Sequence, residues 1–159
     1  MSGSARILVI DDDESIRRAV SQTLELAGYV LDTAENGKQA IEKSKANFYN
    51  LAIIDIRLPD MEGTELLAAL EETTPKMVKI ILTGYPSLEN AAKAINTGVD
   101  AYLIKPVKTE ELLKLIKEHL EKQKQEKEYN QDKAAQFLET RLKQLQTEEH
   151  VPPKTTKKD

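Results

Sequence analysis

Residues 7–15 read Ile7-Leu8-Val9-Ile10-Asp11-Asp12-Asp13-Glu14-Ser15, an apolar run that passes without a spacer into four consecutive carboxylates. Four aliphatic residues in a row belong in an interior. Like charges about 4 Å apart, however, repel by roughly 1 kcal/mol in water and about 4 kcal/mol at an effective dielectric of 20. A cation, a helix N-terminus or open solvent has to offset that repulsion. The pattern of a short apolar run followed by a polar residue recurs along the chain. Arg6–Ile10, Tyr29–Thr33, Leu51–Ile54, Val78–Leu82 and Ala101–Ile104 are near-continuous apolar runs rich in β-branched residues. Strands covered on both faces of a parallel sheet have this composition.

Amphipathic stretches separate the runs. Ser15–Ala27 places Ile16, Ala19, Val20 and Leu24 at helical spacing and stops at Gly28, a C-terminal stop signal. Lys38–Lys45, Thr64–Glu71 and Leu88–Asn96 behave similarly, and Thr109 is placed to cap a final helix carrying Leu112, Leu113, Leu115, Ile116 and Leu120. Alternating strands and helices on short connections predict a doubly wound α/β domain with helices on both faces of the sheet. In such a sheet a functional site lies beyond the carboxyl ends of the strands.

Composition narrows the function classes. A chain of 159 residues with 40% apolar content can build one domain and an appendage, with a core of Leu, Ile, Val and Ala because there are two Phe, five Tyr and no Trp. A net charge of −4 gives no electrostatic basis for binding nucleic acid or an anionic membrane across the whole chain. The absence of Cys excludes disulfides, thiolate metal sites and a Cys nucleophile, and fits a reducing cytoplasm. The N-terminus carries too short an apolar run for a signal peptide or a membrane span. The expectation is a soluble cytoplasmic protein.

Residues 1–120 are expected to form the domain, 121–150 a helical extension and 151–159 a disordered tail. From Glu121 to Lys133 Tyr129 is the one large apolar group, so this stretch has no apolar face to bury. Periodicity returns at Ala135, Leu138, Leu142 and Leu145. The extension reads either as one long helix or as a helix, a linker and a second short helix. Its stripe fits intramolecular packing and fits equally a helix that dimerises or binds a partner. No helix-turn-helix-sized module follows residue 120, so DNA binding is not expected. His119 and His150 read as solvated residues.

The polar residues at the strand ends carry the chemistry. The first run delivers Asp11 and Asp12, the third Asp55, the fourth Thr83 and Gly84, and the fifth Lys105 and Pro106. Singly, each is ordinary: Asp55 a turn residue, Lys105 a solvated lysine, Thr83 a strand-end residue. Together they set three carboxylates, a hydroxyl and an ammonium on one sheet edge, which suits a hard divalent cation such as Mg²⁺ and an oxyanion. Asp13 reads instead as the N-cap of the first helix, with Glu14 in its first turn.

The segments V-I-D-D, I-I-D-I-R-L-P-D-M-E-G, I-I-L-T-G and A-Y-L-I-K-P resemble, in order and spacing, the response-regulator receiver (CheY-like) domain of two-component signalling, over roughly residues 5–120. The resemblance implies a five-stranded parallel sheet in the order 2-1-3-4-5. It implies that Asp55 takes a phosphoryl group from a sensor histidine kinase or a phosphotransfer protein. Asp11, Asp12, Asp55 and the carbonyl of Arg57 would hold Mg²⁺, or Mn²⁺ in its place. Lys105 and Thr83 would bind phosphoryl oxygens, Gly84 would leave them room, and Pro106 would match a cis-proline. Thr83 and Tyr102 would then act as a switch. They would alter the surface of the fourth helix, fifth strand and fifth helix (the α4-β5-α5 face of the family), through which, or through the C-terminal helix, a downstream protein or a second copy binds. The domain would be a self-phosphorylating phosphoacceptor with autodephosphorylation. Two alternatives remain open. One is a haloacid-dehalogenase-like phosphohydrolase with Asp11 as nucleophile and Asp13 as acid/base. The other is an unphosphorylated interaction module that kept the fold.

Overall fold

A computed structural model of the chain describes residues 4–70, 72–73 and 75–149. The expected tail at 151–159, His150, and the expected end of the third helix at Glu71 lie outside the described residues. The elements are β1 (Arg6–Ile10), α1 (Glu14–Leu26), β2 (Val30–Ala34), α2 (Gly37–Ala46), β3 (Leu51–Ile54), α3 (Gly63–Ala69), β4 (Val78–Thr83), α4 (Leu88–Thr97), β5 (Ala101–Ile104) and α5 (Thr109–Glu149). The strands pair in parallel in the order β2-β1-β3-β4-β5, as the resemblance implies.

The apolar runs are buried on both sides because consecutive side chains enter opposite layers. Leu8, Ile10, Ala52, Ile54 and Ile81 join Leu66, Leu67 and Ala94 of α3 and α4 in one core. Ile7, Val9, Leu51, Ile53, Val78, Ile80 and Leu82 join Leu24, Leu112 and Ile116 of α1 and α5 in the other. A strand with no polar face therefore has no solvent side, which is what forces helices onto both faces of the sheet.

Register brings the polar strand ends together. Ile10 lies opposite Ile54, so Asp11 and Asp55 leave adjacent strands side by side. Thr83 lies opposite Ile104, so Lys105 follows directly beside it. The ladder extends one residue past the strands. Asp11 N donates to Ala34 O at 3.1 Å, Asp55 N to Ile10 O at 3.0 Å and Lys105 N to Thr83 O at 2.8 Å. The backbones of Asp11, Asp55 and Lys105 are thus held by the sheet itself.

The helix ends carry local signals. Asp13 caps α1, accepting from Ile16 N, and Asn36 and Ser87 cap α2 and α4 in the same way. The second strand begins one residue later than its apolar run suggests, because Tyr29 N donates to Leu24 O, closing α1 after Gly28 at φ +97°. Thr109 is the first helical residue of α5 and not its cap, since Leu112 N already donates to Lys108 O. α3 ends at Ala69 because Leu70 turns extended, at φ −66° and ψ 136°, and enters the core.

Residues up to Lys124 form one compact unit and those from Gln125 a second. The helix α5 is continuous through Glu149, so the extension is one helix. No helix among the described residues is long and apolar enough to cross a membrane. Among its described residues, the stretch after Leu120 buries one, Gln123, despite having no apolar face. Gln123 Nε2 donates to Asn50 O at 2.9 Å and to Lys76 O at 2.7 Å, and its Oε1 accepts from Asn50 Nδ2 at 3.2 Å. Asn50 Oδ1 in turn accepts from Arg6 N at 3.0 Å. This network closes the amino-terminal edge of the sheet, opposite the carboxylates. Deleting one member strands buried polar partners, at about 1–3 kcal/mol. Gln123→Ala is therefore expected to lower the unfolding free energy by about that amount in urea titrations. A loss below about 0.5 kcal/mol, the level of an unspecialised surface site, would show that water replaces the amide.

Candidate functional site

Asp11 and Asp55 are both buried, while Asp12 beside them is exposed. Each of the three offers one carboxylate oxygen, and these oxygens lie within 4.8 Å of one another. Lys105 reaches into the group from β5. Its Nζ stands 2.8 Å from Asp11 Oδ2 and 3.6 Å from Asp55 Oδ2. Burial is the main influence that holds the Asp55 carboxyl above its ordinary range, followed by the negative charge of Asp11. Lys105 and the Arg57 N–H pull the other way, and Arg57 N is 3.5 Å from Asp55 Oδ1, at the outer limit of a hydrogen bond. Three carboxylates against one ammonium leave an excess of two negative charges around an open cleft of about 550 Å³, lined by Asp11, Asp12, Asp55, Arg57, Tyr85 and Lys105 among others.

The remaining site residues occupy distinct positions. Thr83 is fully buried at the end of β4, and its Oγ1 accepts from Tyr85 N at 3.0 Å. Tyr102 is half-buried against the α3–α4 side of the core, with a buried hydroxyl that no described group bonds. The Lys105–Pro106 bond is cis. Gly84 lines the cleft, and a Cβ there would meet Lys105 Cδ at 3.8 Å, an ordinary contact. The resting packing therefore does not itself demand glycine at this position. Arg57 stacks its guanidinium over the Tyr85 ring, 4.2 Å from the centroid, and both side chains line the cleft.

Three supporting residues were not singled out for the site from the sequence. A Cβ on Gly63 would stand 2.5 Å from Asp55 O and 2.9 Å from Ile56 Cα, so only glycine lets α3 start directly against the backbone of Asp55. The signal is a glycine eight residues after the aspartate in D-I-R-L-P-D-M-E-G, although nothing local says why it must be glycine. Asp60 bonds the first amides of α2, with Gly37 N at 2.8 Å and Lys38 N at 2.9 Å, and pins the β3–α3 loop that carries Arg57. Arg17 donates from α1 to Asp11 O at 2.8 Å.

This fold, with an acidic cluster at the carboxyl edge of its sheet, is that of a signalling receiver domain. Residues 7–117 match the response regulator receiver domain, and the chain belongs to that family. It is 32% identical over 124 residues to the C4-dicarboxylate transport transcriptional regulatory protein DctD of Rhizobium meliloti, covering 78% of this chain and 27% of that protein. It is 36% identical over 121 residues to the transcriptional regulatory protein ZraR of Klebsiella oxytoca, covering 76% and 27%. Among solved structures, the CheY-like receiver domain protein of Methanospirillum hungatei is 46% identical with a TM-score of 0.75, over 77% of this chain and 98% of that one. The beryllofluoride-activated NtrC4 receiver domain dimer is 37% identical with a TM-score of 0.69, over 74% and 98%. The chain spans about a quarter of the length of the first curated relatives it matches. It is a receiver domain of two-component signalling. That match sets aside the haloacid-dehalogenase-like alternative, and Asp13 serves as the α1 cap, accepting from Ile16 N.

The raised pKa of Asp55 has a consequence for stability. As pH rises, the unfolded chain releases this proton first, near the ordinary aspartate value of about 3.9. Asp55 therefore destabilises the fold progressively between the unfolded and the folded pKa, and fully above the folded one. Asp55→Asn removes that destabilisation. The variant is expected to be more stable than the parent at pH 7, and to lose that advantage as pH is lowered towards the ordinary aspartate range. Urea melts across that range test this, and an advantage that does not depend on pH would contradict it.

Proposed function

We propose that Asp55 accepts a phosphoryl group from a phosphohistidine of a sensor histidine kinase or phosphotransfer protein and later releases it to water. The supporting observation is the approach of Asp11, Asp55 and Lys105 to one another at the floor of an open cleft. In the forward step an Asp55 oxygen attacks phosphorus, a P–O bond forms and the P–N bond breaks. The electron pair of the broken bond returns to the imidazole nitrogen. In the release step a water oxygen attacks phosphorus, free phosphate leaves and the carboxylate is restored. The domain is thus a self-phosphorylating and self-dephosphorylating acceptor.

The donor set fits Mg²⁺, with Mn²⁺ able to take its place. Three hard oxygens converge, and two negative charges remain unbalanced beside Lys105. Asp11, Asp12, Asp55 and the carbonyl of Arg57 would hold the ion. Bound there, it would neutralise the repulsion between the carboxylates and the phosphoryl oxygens. Lys105 would transfer its hydrogen bond from Asp11 towards a phosphoryl oxygen. Thr83 would donate its hydroxyl hydrogen to another, since that oxygen is so far engaged only as an acceptor. Drawing Thr83 forward opens space behind it, and Tyr102, whose hydroxyl is buried without a described partner, would follow. The exposed Leu88, Ile95 and Ile104 lie on the elements α4 and β5 that this movement reshapes, and they offer an apolar surface to a downstream protein.

Acetyl phosphate with Mg²⁺ is expected to add one phosphoryl group, located on Asp55 by peptide mass spectrometry. Labelling should be abolished in Asp55→Asn and should require more Mg²⁺ in Asp12→Asn. Label on Asp11, or full labelling of Asp55→Asn, would overturn the assignment. The stacked Arg57–Tyr85 pair lines the cleft through which water would reach the phosphoryl group. Tyr85→Ala is expected to shorten the lifetime of the phosphorylated form several-fold in a radiolabel decay assay. An unchanged lifetime would show that the stack does not limit water access.

A further inference from the structure

Arg57 sits in a small hairpin that is fastened at both ends. It forms an isolated antiparallel bridge with Glu62. Two bonds flank that pair: Gly63 N donates to Ile56 O at 2.6 Å and Leu58 N to Met61 O at 3.3 Å. Neither uses the N–H or C=O of Arg57, the pattern of a non-hydrogen-bonded pair. Arg57 N instead approaches Asp55 Oδ1 at 3.5 Å. The base of the hairpin is fixed where Gly63 presses on the Asp55 backbone. The tip is fixed by a different element. Asp60 is exposed, yet both of its carboxylate oxygens are engaged, one by Gly37 N at 2.8 Å and the other by Lys38 N at 2.9 Å. A Cβ at Gly37 would run into the Met61 side chain, so glycine there lets the tip lie directly on the first turn of α2. Ala40 of α2 is in turn buried in the core, against which Leu58 and Met61 also pack.

We propose that Asp60 is a positioning residue for the divalent cation: by tying the hairpin tip to α2, it holds the Arg57 carbonyl in place for the ion. The proposal rests on the reading of Asp11, Asp12, Asp55 and the Arg57 carbonyl as the cation's donors. Side-chain carboxylates can turn to meet an ion, whereas a backbone carbonyl moves only with its loop. Mg²⁺ demands near-ideal octahedral geometry, so the carbonyl is the donor most sensitive to freedom in the hairpin. One bond at 3.3 Å across the turn gives the tip little rigidity of its own. The two bonds from Asp60 are charge-assisted and lie at a helix N-terminus, where a carboxylate is favoured. Asp60 itself supplies no donor to the cation, since both of its oxygens face α2. Groups one step behind the metal ligands typically set about 10–100-fold of metal affinity.

Mn²⁺ binding to the full-length protein, followed by the electron paramagnetic resonance of free Mn²⁺ without any phosphodonor, tests this. Asp60→Ala is expected to weaken binding by on the order of tenfold. Asp60→Asn keeps one acceptor oxygen and should fall between Asp60→Ala and the parent. Gln123→Ala loosens the opposite edge of the sheet and should bind as the parent does, which separates positioning from a general loss of stability. With acetyl phosphate, Asp60→Ala should need correspondingly more Mg²⁺ for half-maximal labelling, and its rate at saturating Mg²⁺ should change less than that requirement. Three results would each overturn the proposal while leaving the donor set standing. One is an Asp60→Ala affinity within about twofold of the parent, far below what such a support sets. The second is equal weakening by Gln123→Ala. The third is slower labelling at saturating Mg²⁺ with unchanged Mn²⁺ binding. A parent that binds no Mn²⁺, or an Asp12→Asn variant that binds it fully, would overturn the donor set and this proposal together.

Discussion

The structure turns on one electrostatic arrangement: two buried carboxylates, Asp11 and Asp55, with the single ammonium of Lys105 between them at 2.8 and 3.6 Å. Water would screen such a group, but the sheet edge keeps water off two of the three acids. The positions must therefore be enforced by covalent and hydrogen-bonded framework. That explains why the supporting strands have no polar face, why the ladder runs one residue beyond β1 and β3, and why α3 starts on a glycine pressed against the Asp55 backbone. A flexible edge would let the acids move apart and become hydrated, which would lower their energy and remove the charge excess that suits a divalent cation. The rigidity of the fold serves to keep an unfavourable cluster in place.

Much of this was legible in the sequence because it is written in apolar runs and in the polar residues that end them. I-L-V-I, L-A-I-I and V-K-I-I-L announce two-sided burial, and each terminal polar residue is placed by the run before it. The alternation of Ile7 and Val9 into one core with Leu8 and Ile10 into the other is dictated by the pleat. The small displacement of β2 arises at the edge of the sheet, where Val30 is exposed and a helix-closing bond captures Tyr29, so apolarity alone does not mark the boundary.

Contacts between polar residues distant in sequence were not legible. Gln123 lies in a stretch with no apolar face, yet it is among the most buried polar side chains because its partners are 47 and 73 residues away. Lys79 reads as an interruption in V-K-I-I-L, but its Nζ is buried and donates to Leu67 O at 3.1 Å, closing the end of α3. Desolvation leads the influences that lower its pKa, with the charge of Lys76 next. Periodicity registers which face is apolar. It carries no information on which amide or ammonium will find a carbonyl across the fold, and Gly63 and Asp60 escaped notice as site supports for the same reason.

The resting arrangement also bears on how the phosphorylation proposed at Asp55 would travel. Thr83 Oγ1 spends its acceptor capacity on Tyr85 N and keeps its hydrogen free, so a new anion in the cleft competes for that hydrogen without first breaking a bond. Tyr102 carries a buried hydroxyl with no described partner, a situation that costs about 1–3 kcal/mol. Rotation towards solvent would recover part of that energy, provided the space vacated by Thr83 is available. The two residues sit on neighbouring paired strands, with Tyr102 opposite Ile81 and Thr83 opposite Ile104, so no long chain of intermediates is needed. Under the phosphorylation proposed above, one or two charge-assisted hydrogen bonds to the new anion would favour a moved Thr83, and the hydroxyl without a described partner lowers the cost of an accompanying rotation of Tyr102.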